Sequence, residues 1–291
     1  MKHSSRTQLN KEISGYQIFQ VNAFVDRDCR GNSAGVCLLP EEIDIKRFGR
    51  IAAGMAMSET AFLYETGGVL QLRWFHPNGT EADLCGHATL ATAYILWNKG
   101  YVNPGEIIDF HTKSGVLSAK LEEDFISLSF PAESIVEIKR NEYRLHELLG
   151  LSPVYTGRTR FDYLIVVDSE EAVKRLTPDF EKLKRIPTRG ITVTAKSLNP
   201  EYDYVARFFA PSVGVNEDPV TGSAHCYLGT YWGTVLNKNT LTGYQASPEG
   251  GMVKVAISGN RILVSGRSRE VAIAEEKKRE VLSCLKMQAS L

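Results

Sequence analysis

Residues 73–92 and 207–228 carry one pattern twice, and a chain that repeats a strand, a loop and a helix in this way is committed to two similar halves. The first copy reads Arg73-Trp74-Phe75-His76-Pro77, then Gly86-His87-Ala88 and an apolar run; the second reads Arg207-Phe208-Phe209-Ala210-Pro211, then Gly222-Ser223-Ala224 and another apolar run. Allowing two extra residues in the second loop, Glu81 pairs with Glu217, Ala82 with Asp218, Cys85 with Thr221 and His87 with Ser223. The frame is shared while the chemistry differs. Each copy predicts a strand, a loop starting at proline and a glycine-led helix, so each half is expected to aim a helix N-terminus at a shared cleft.

The helix predicted from Ala88 through Trp97 is apolar nearly all round, as is its counterpart from Ala224 through Val235. Such helices are buried rather than amphipathic. Around them lie stretches with strand character: residues 16–24, 36–39, 61–64, 70–75, 163–167, 191–195 and 205–209, with further strands to Val264. Gly67-Gly68 marks a hairpin turn. Ile45, Phe48, Ile51, Ala52 and Met55 recur at helical spacing and predict a helix with one face on a sheet. The expected fold is α+β: two similar domains, each a barrel-like sheet wrapped around a central apolar helix. Expected boundaries are a disordered leader over 1–14, an N-terminal barrel over 15–130 with a strand from 260–275 as a candidate to complete it, a C-terminal barrel over 131–275, and a terminal helix over 276–291.

A length of 291 residues suits two such halves. Lys plus Arg and Asp plus Glu both total 34, so no net field favours nucleic acid or an anionic membrane surface. The short basic stretch at 139–144 is broken by Asn141 and Glu142 and reads as a solvated face. Five cysteines, Cys29, Cys37, Cys85, Cys226 and Cys284, follow no disulfide framework and fit reduced thiols in the cytoplasm. No run approaches the ~18 apolar residues of a bilayer span, so neither membrane nor nucleic acid is an expected partner.

Glu59, in Ser58-Glu59-Thr60-Ala61-Phe62, falls between a predicted helix and a strand, near Met55, Met57, Ala61 and Phe62. Such a neighbourhood desolvates a carboxyl group, raises its pKa and suits it to trade protons near neutrality. The plainer reading is a loop glutamate bonded to a backbone amide. His87 follows Gly86 at a helix start, where free N–H groups favour an anion and a neutral imidazole, or where it simply caps the helix. Asp218, in Glu217-Asp218-Pro219-Val220-Thr221-Gly222-Ser223, suits proton transfer or orientation, with loop or helix capping as the alternative. Gly31-Asn32-Ser33-Ala34-Gly35 matches a serine-hydrolase elbow in letters, yet a strand follows where a helix is needed. Cys85 with His87, or His225 with Cys226, lacks four ligands at metal spacing, so no metal is expected. No dinucleotide or Walker motif supports a nucleotide cofactor.

Gly31-Asn32-Ser33-Ala34-Gly35-Val36, Ser58-Glu59-Thr60-Ala61-Phe62, Arg73-Trp74-Phe75 with Asp83-Leu84-Cys85-Gly86-His87-Ala88-Thr89, and Glu217-Asp218-Pro219-Val220-Thr221-Gly222-Ser223-Ala224 together resemble the signatures of the PhzF-like isomerases, in order from about Tyr16 to Gly266. The resemblance implies a diaminopimelate-epimerase-like fold with the site in the cleft between two barrels. It also implies a cofactor-free proton shift on a small carboxylate-bearing substrate, and a homodimer. By matching positions, Glu59 is the expected acid/base, with His87 and Asp218 assisting. Asn32, Gly86, Gly222 and Ser223 are the expected substrate-binding positions. In the related two-cysteine epimerases one thiol serves each face; here the matching positions are Cys85 and Thr221, which disfavours that chemistry because a threonine hydroxyl is a poor acid or base. Glu249 stands where relatives usually carry a basic residue, which leaves an anion contact from that loop without support. A binding module that keeps the fold without turnover is the alternative, and Glu59→Gln separates the two.

Overall fold

The computed structural model describes residues 9–138 and 142–286; residues 1–8 of the expected leader, 139–141 of the basic stretch and 287–291 of the terminal helix lie outside the described residues. The chain divides into two compact units. The first takes the described residues through Ala23, Ser33–Ser129 and the chain from Gly266 on; the second takes Phe24–Asn32 and Phe130–Ser265.

The first unit holds β1 (Gln17–Val25), β2 (Asn32–Leu38), α1 (Ile45–Met55), β3 (Glu59–Thr66), β4 (Val69–Phe75), β5 (Glu81–Ala82), α2 (Gly86–Asn98), β6 (Ile108–Thr112), β7 (Gly115–Glu122) and β8 (Phe125–Pro131). β2 runs parallel to β3, β3 antiparallel to β4, β4 parallel to β6, and β6, β7 and β8 follow as antiparallel neighbours. A strand near the C-terminus, Arg261–Val271, pairs with both β8 and β1, and β1 pairs with β2, so eight strands close into a barrel.

The second unit holds β9 (Val136–Glu137), α3 (Leu145–Leu148), β10 (Tyr155–Arg158), β11 (Asp162–Val166), α4 (Glu170–Lys174), α5 (Phe180–Leu183), β12 (Gly190–Lys196), β13 (Tyr204–Ala210), β14 (Val215–Asp218), α6 (Ala224–Leu236), β15 (Thr240–Gln245), β16 (Gly251–Ser258) and the start of β17 (Arg261–Val271), after which α7 (Glu275–Lys286) returns to the first. Here β11 is parallel to β12, β12 antiparallel to β13, β13 parallel to β15, and β15, β16 and β17 antiparallel in turn. This repeats the succession from β2 to β8, so the duplication read in two motifs extends over whole sheets.

Eleven of the thirteen residues of α2 are buried. Its two threonines are tolerated there because Thr89 and Thr92 donate their hydroxyls to the carbonyls of Cys85 and Ala88, 2.6 and 2.8 Å away. α6 solves the same problem differently, bonding its polar side chains to the surrounding strands. Tyr227 Oη meets Thr192 Oγ1 at 2.6 Å, Trp232 Nε1 donates to Thr194 Oγ1 at 3.0 Å, and His225 Nδ1 lies 2.8 Å from Tyr204 Oη. Gly229 brings α6 against β16: a Cβ there would stand 2.5 Å from Val255 Cγ1. Unlike α2, α6 emerges at its end, where Val235 is exposed.

The opposite strand faces carry outer helices. Phe48, Ile51 and Met55 of α1 and Val281 and Leu285 of α7 pack with Cys37, Phe62, Tyr64 and Phe75. In the second unit Leu145, Val173 and Leu183 of three short helices pack with Tyr163, Ile165, Val193, Val205 and Phe209. α4 and α5 are too short to leave a periodic signal, and the sequence reading does not contain them.

Two placements depart from expectation. Residues 9–14 are held rather than loose: Asn10 N–H donates to Tyr101 O at 2.7 Å and Ile13 is buried. Residues 24–32, assigned by sequence to the first half, group with the second because their backbone bonds there, Arg30 N–H to Glu249 O and Gly31 N–H to Gly250 O. Among the described residues no helix is long and apolar enough to cross a membrane.

Candidate active site

Glu59 is the first residue of β3, paired with Ala34 of the parallel strand β2. Met55, which ends α1, and Met57, two residues before Glu59, are both buried. The Glu59 side chain is 14% exposed. Burial pushes its carboxyl up to about 7, against a smaller downward pull from the Ser58 hydroxyl. A carboxyl at that point gives and takes protons with equal ease at neutral pH.

Two imidazoles flank it. Oε1 lies 3.3 Å from His76 Nδ1, and Oε2 lies 3.2 Å from His87 Nε2. The second approach lacks the alignment of a hydrogen bond, so Oε2 is buried without a hydrogen-bond partner. His87 is nearly sealed, its side chain 5% exposed, and burial pushes its imidazole down to about 3, with a lesser contribution from His76. Glu59 and His87 are thus a neutral-ring contact at neutral pH, not an ion pair. Ser58 Oγ is 3.1 Å from His87 Nε2, and Cys85 Sγ is 3.6 Å from Nδ1, so both ring nitrogens are held.

His87 is the second residue of α2, which Cys85 precedes in extended conformation with no side-chain cap. The capping reading of His87 therefore gives way: the ring turns to Glu59 and Cys85, leaving the positive end of the helix dipole uncapped at buried Gly86.

Glu59, Cys85 and His87 also place one donor atom each within 4.8 Å of one another, the spacing of a candidate cation site. The ring argues against it. Glu59 faces Nε2 while Cys85 faces Nδ1, so an ion on either nitrogen's lone pair is directed away from one of the other two donors.

In the second unit Asp218 ends β14 opposite Phe208, just as Ala82 in β5 lies opposite Trp74. The matched ion pairs agree: Arg73 grips Glu81 through Nε and Nη2 at 2.8 and 2.9 Å, and Arg207 grips Glu217 through the same atoms at 2.7 Å each. Asp218 Oδ1 accepts from Asn32 Nδ2 at 2.7 Å, and Oδ2 accepts from Thr221 Oγ1 at 2.6 Å. Asn32 is 1% exposed and donates also to Val220 O at 3.0 Å. Gln245, equally buried, accepts from Thr221 N–H at 2.9 Å and donates to Asp218 O at 2.8 Å. Gly222 is buried, and Ser223, partly exposed, starts α6 with no side-chain cap. The loop-holding reading of Asp218 is therefore visible in its bonds. Ser33 lies inside strand β2, where its hydroxyl donates to Asn22, and has no elbow geometry.

The structure thus joins Glu59 with His87 and Asn32 with Asp218. Sequence reasoning passed over His76 and Gln245. His76 had a signal, since the second copy carries Ala210 at its place; Gln245 is joined to Asp218 only by folding.

Comparisons with known proteins show the family and the fold. The family model described as phenazine biosynthesis-like protein, PhzC-PhzF, matches residues 21–274. An uncharacterized isomerase of Halalkalibacterium halodurans is 48% identical over 258 residues, covering 89% of this chain and 97% of the relative. The crystal structure of a PhzF-family phenazine biosynthesis protein from Enterococcus faecalis superposes with a TM-score of 0.82 at 37% identity, covering 89% of this chain and 98% of the other. A hydroxyproline epimerase from Agrobacterium vitis shares the fold alone, with a TM-score of 0.56 at 12% identity, covering 88% and 90%.

Proposed function

This chain belongs to the phenazine biosynthesis-like family, and from that premise we propose an isomerase that moves a proton on a small carboxylate-bearing substrate without a cofactor, with Glu59 as its acid/base. The observation that carries the reading is the Glu59 carboxyl, buried at the start of β3 with its pKa lifted to about 7 and an imidazole at each oxygen.

As a carboxylate, Glu59 takes a proton from a substrate carbon; the C–H bonding pair stays on the substrate as a delocalised anion. The same carboxyl then returns the proton to a different atom, so the reaction is redox-neutral. The uncapped start of α2, at Gly86 and His87, is suited to the negative charge that develops in between. His87, neutral, supplies a hydrogen bond without becoming a competing base. Asn32, Asp218, Gly222 and Ser223 are proposed substrate contacts, to be tested one at a time.

The test is NMR-detected deuterium exchange from D₂O into a panel of small amino, hydroxy and cyclic-diene carboxylic acids, wild type against Glu59→Gln. Exchange or rearrangement by the wild type alone supports the reading; equal behaviour of the two proteins overturns it.

A further inference from the structure

We propose that His76 is the proton relay of this site, carrying protons between the buried carboxyl of Glu59 and water. The inference rests on Glu59 being the acid/base and adds how the proton it holds between the two steps exchanges with water.

The three groups form a line of rising exposure. The side chain of His87 is 5% exposed, that of Glu59 14% and that of His76 23%. A proton leaving Glu59 toward His87 enters a nearly sealed ring that burial holds neutral. Toward His76 it reaches an imidazole that water touches, a ring whose two nitrogens can take a proton on one side and release it from the other. His76 Nδ1 lies 3.3 Å from Glu59 Oε1 and 3.4 Å from the carbonyl oxygen of Ser58. While Glu59 is protonated the ring hydrogen sits on Nε2 and Nδ1 is the acceptor; once Glu59 is ionised, an Nδ1–H there has both oxygens as acceptors.

The backbone holds the ring in place. His76 N–H donates to Thr80 O, and His76 O accepts from Gly79 N–H, each at 2.9 Å. Gly79 has a φ of +84° and packs on α1, where a Cβ on Gly49 would stand 2.9 Å from Gly79 Cα. The contact with Glu59 is thus built into a closed turn. The duplicated frame points the same way: the second copy has Ala210 at this place and Ser223 at that of His87.

The step balances as a proton transfer. Glu59 Oε1–H gives its proton to Nδ1, leaving carboxylate and imidazolium; Nε2–H then releases a proton to water, and the reverse path recharges the carboxyl. The titratable groups around Glu59 are His76 from the loop after β4, and His87 and Cys85 from the start of α2.

The experiment compares wild type, Glu59→Gln, His76→Ala and His76→Gln for deuterium wash-in from D₂O to whichever panel acid the wild type exchanges, with and without added imidazole. His76→Ala is expected to lose about a hundredfold in wash-in, the low side of what one proton-transferring group supplies, with binding unchanged and the rate restored by millimolar imidazole. A ring that only packs is not replaced by buffer. Full wash-in by His76→Ala, or a loss that imidazole does not restore in either His76 variant, overturns the relay; with Glu59→Gln inactive, the acid/base reading stands. Wash-in by Glu59→Gln overturns that reading itself. Should no panel acid exchange, the carbon-13 carboxyl signal of Glu59 decides: its titration is expected to shift in His76→Ala, and an unchanged curve overturns the relay.

Discussion

His87 Nε2 and Glu59 Oε2 face each other across 3.2 Å, and burial moves the two groups in opposite directions. Between pH 4.5 and about 7 folded Glu59 keeps a proton that the unfolded chain has shed, so its contribution to stability is lost as pH rises, about 3 kcal/mol in all. Between about 3 and 6.5 folded His87 refuses a proton that the unfolded chain binds, so stability is lost as pH falls. From 4.5 to 6.5 the two slopes oppose. Wild-type stability is expected to be nearly flat there in urea titrations at stepped pH, whereas Glu59→Gln gains stability with rising pH at about 1.4 kcal/mol per unit. Identical profiles for the two proteins would sink this account.

The two arginine pairs look alike but are embedded differently. Arg207 is 10% exposed, and its Nη1 also donates to the carbonyls of Val173, Lys174 and Leu176, whereas Arg73 is 21% exposed. Arg207→Met leaves a largely shielded Glu217 without its cation and takes a donor from three carbonyls, and is expected to cost about 3–5 kcal/mol. Arg73→Met is expected to cost less than half of that, and equal losses in thermal unfolding would contradict the distinction.

Thr221 holds Asp218 through one short hydroxyl bond. Thr221→Val is expected to destabilise by about 1–3 kcal/mol through the lost donor, and Thr221→Ser to recover most of it. If valine and serine behave alike in denaturant titrations, shape rather than the bond is what matters there.

Gly229 fits α6 against Val255 with no room for a Cβ, which would stand only 2.5 Å from Val255 Cγ1. Gly229→Ala is expected to cost about 1–3 kcal/mol by overpacking. Adding Val255→Ala opens the room, so the double variant should be more stable than the sum of the single losses predicts; simple additivity would show that the contact relaxes freely.

Much of this was legible in the sequence because it is local or periodic. The apolar runs of α2 and α6, the turn at Gly67-Gly68 and the spacing of Ile45 to Met55 each draw on neighbouring residues alone. Glu59 was visible as an acid among apolar neighbours, and the pairing of Ala82 with Asp218 reappears as equivalent hairpin positions. What was illegible depends on distant chain. His76 meets Glu59 only once β4 lies beside β3, and Gln245 reaches Asp218 from 27 residues away. The assignment of 24–32 to the second unit follows from backbone bonds to residues 249 and 250, which no local pattern announces.

The eighth strand of the first barrel has a consequence for synthesis. Seven of the strands that form its ring have been translated by Pro131, yet β17 begins only at Arg261. At roughly 5–20 residues per second, the growing chain waits on the order of ten seconds or more with the edges of β1 and β8 open. The half that carries Glu59 is written first and closed last, so a message truncated before codon 261 should yield a chain that chaperones retain or that aggregates, not a half-sized enzyme.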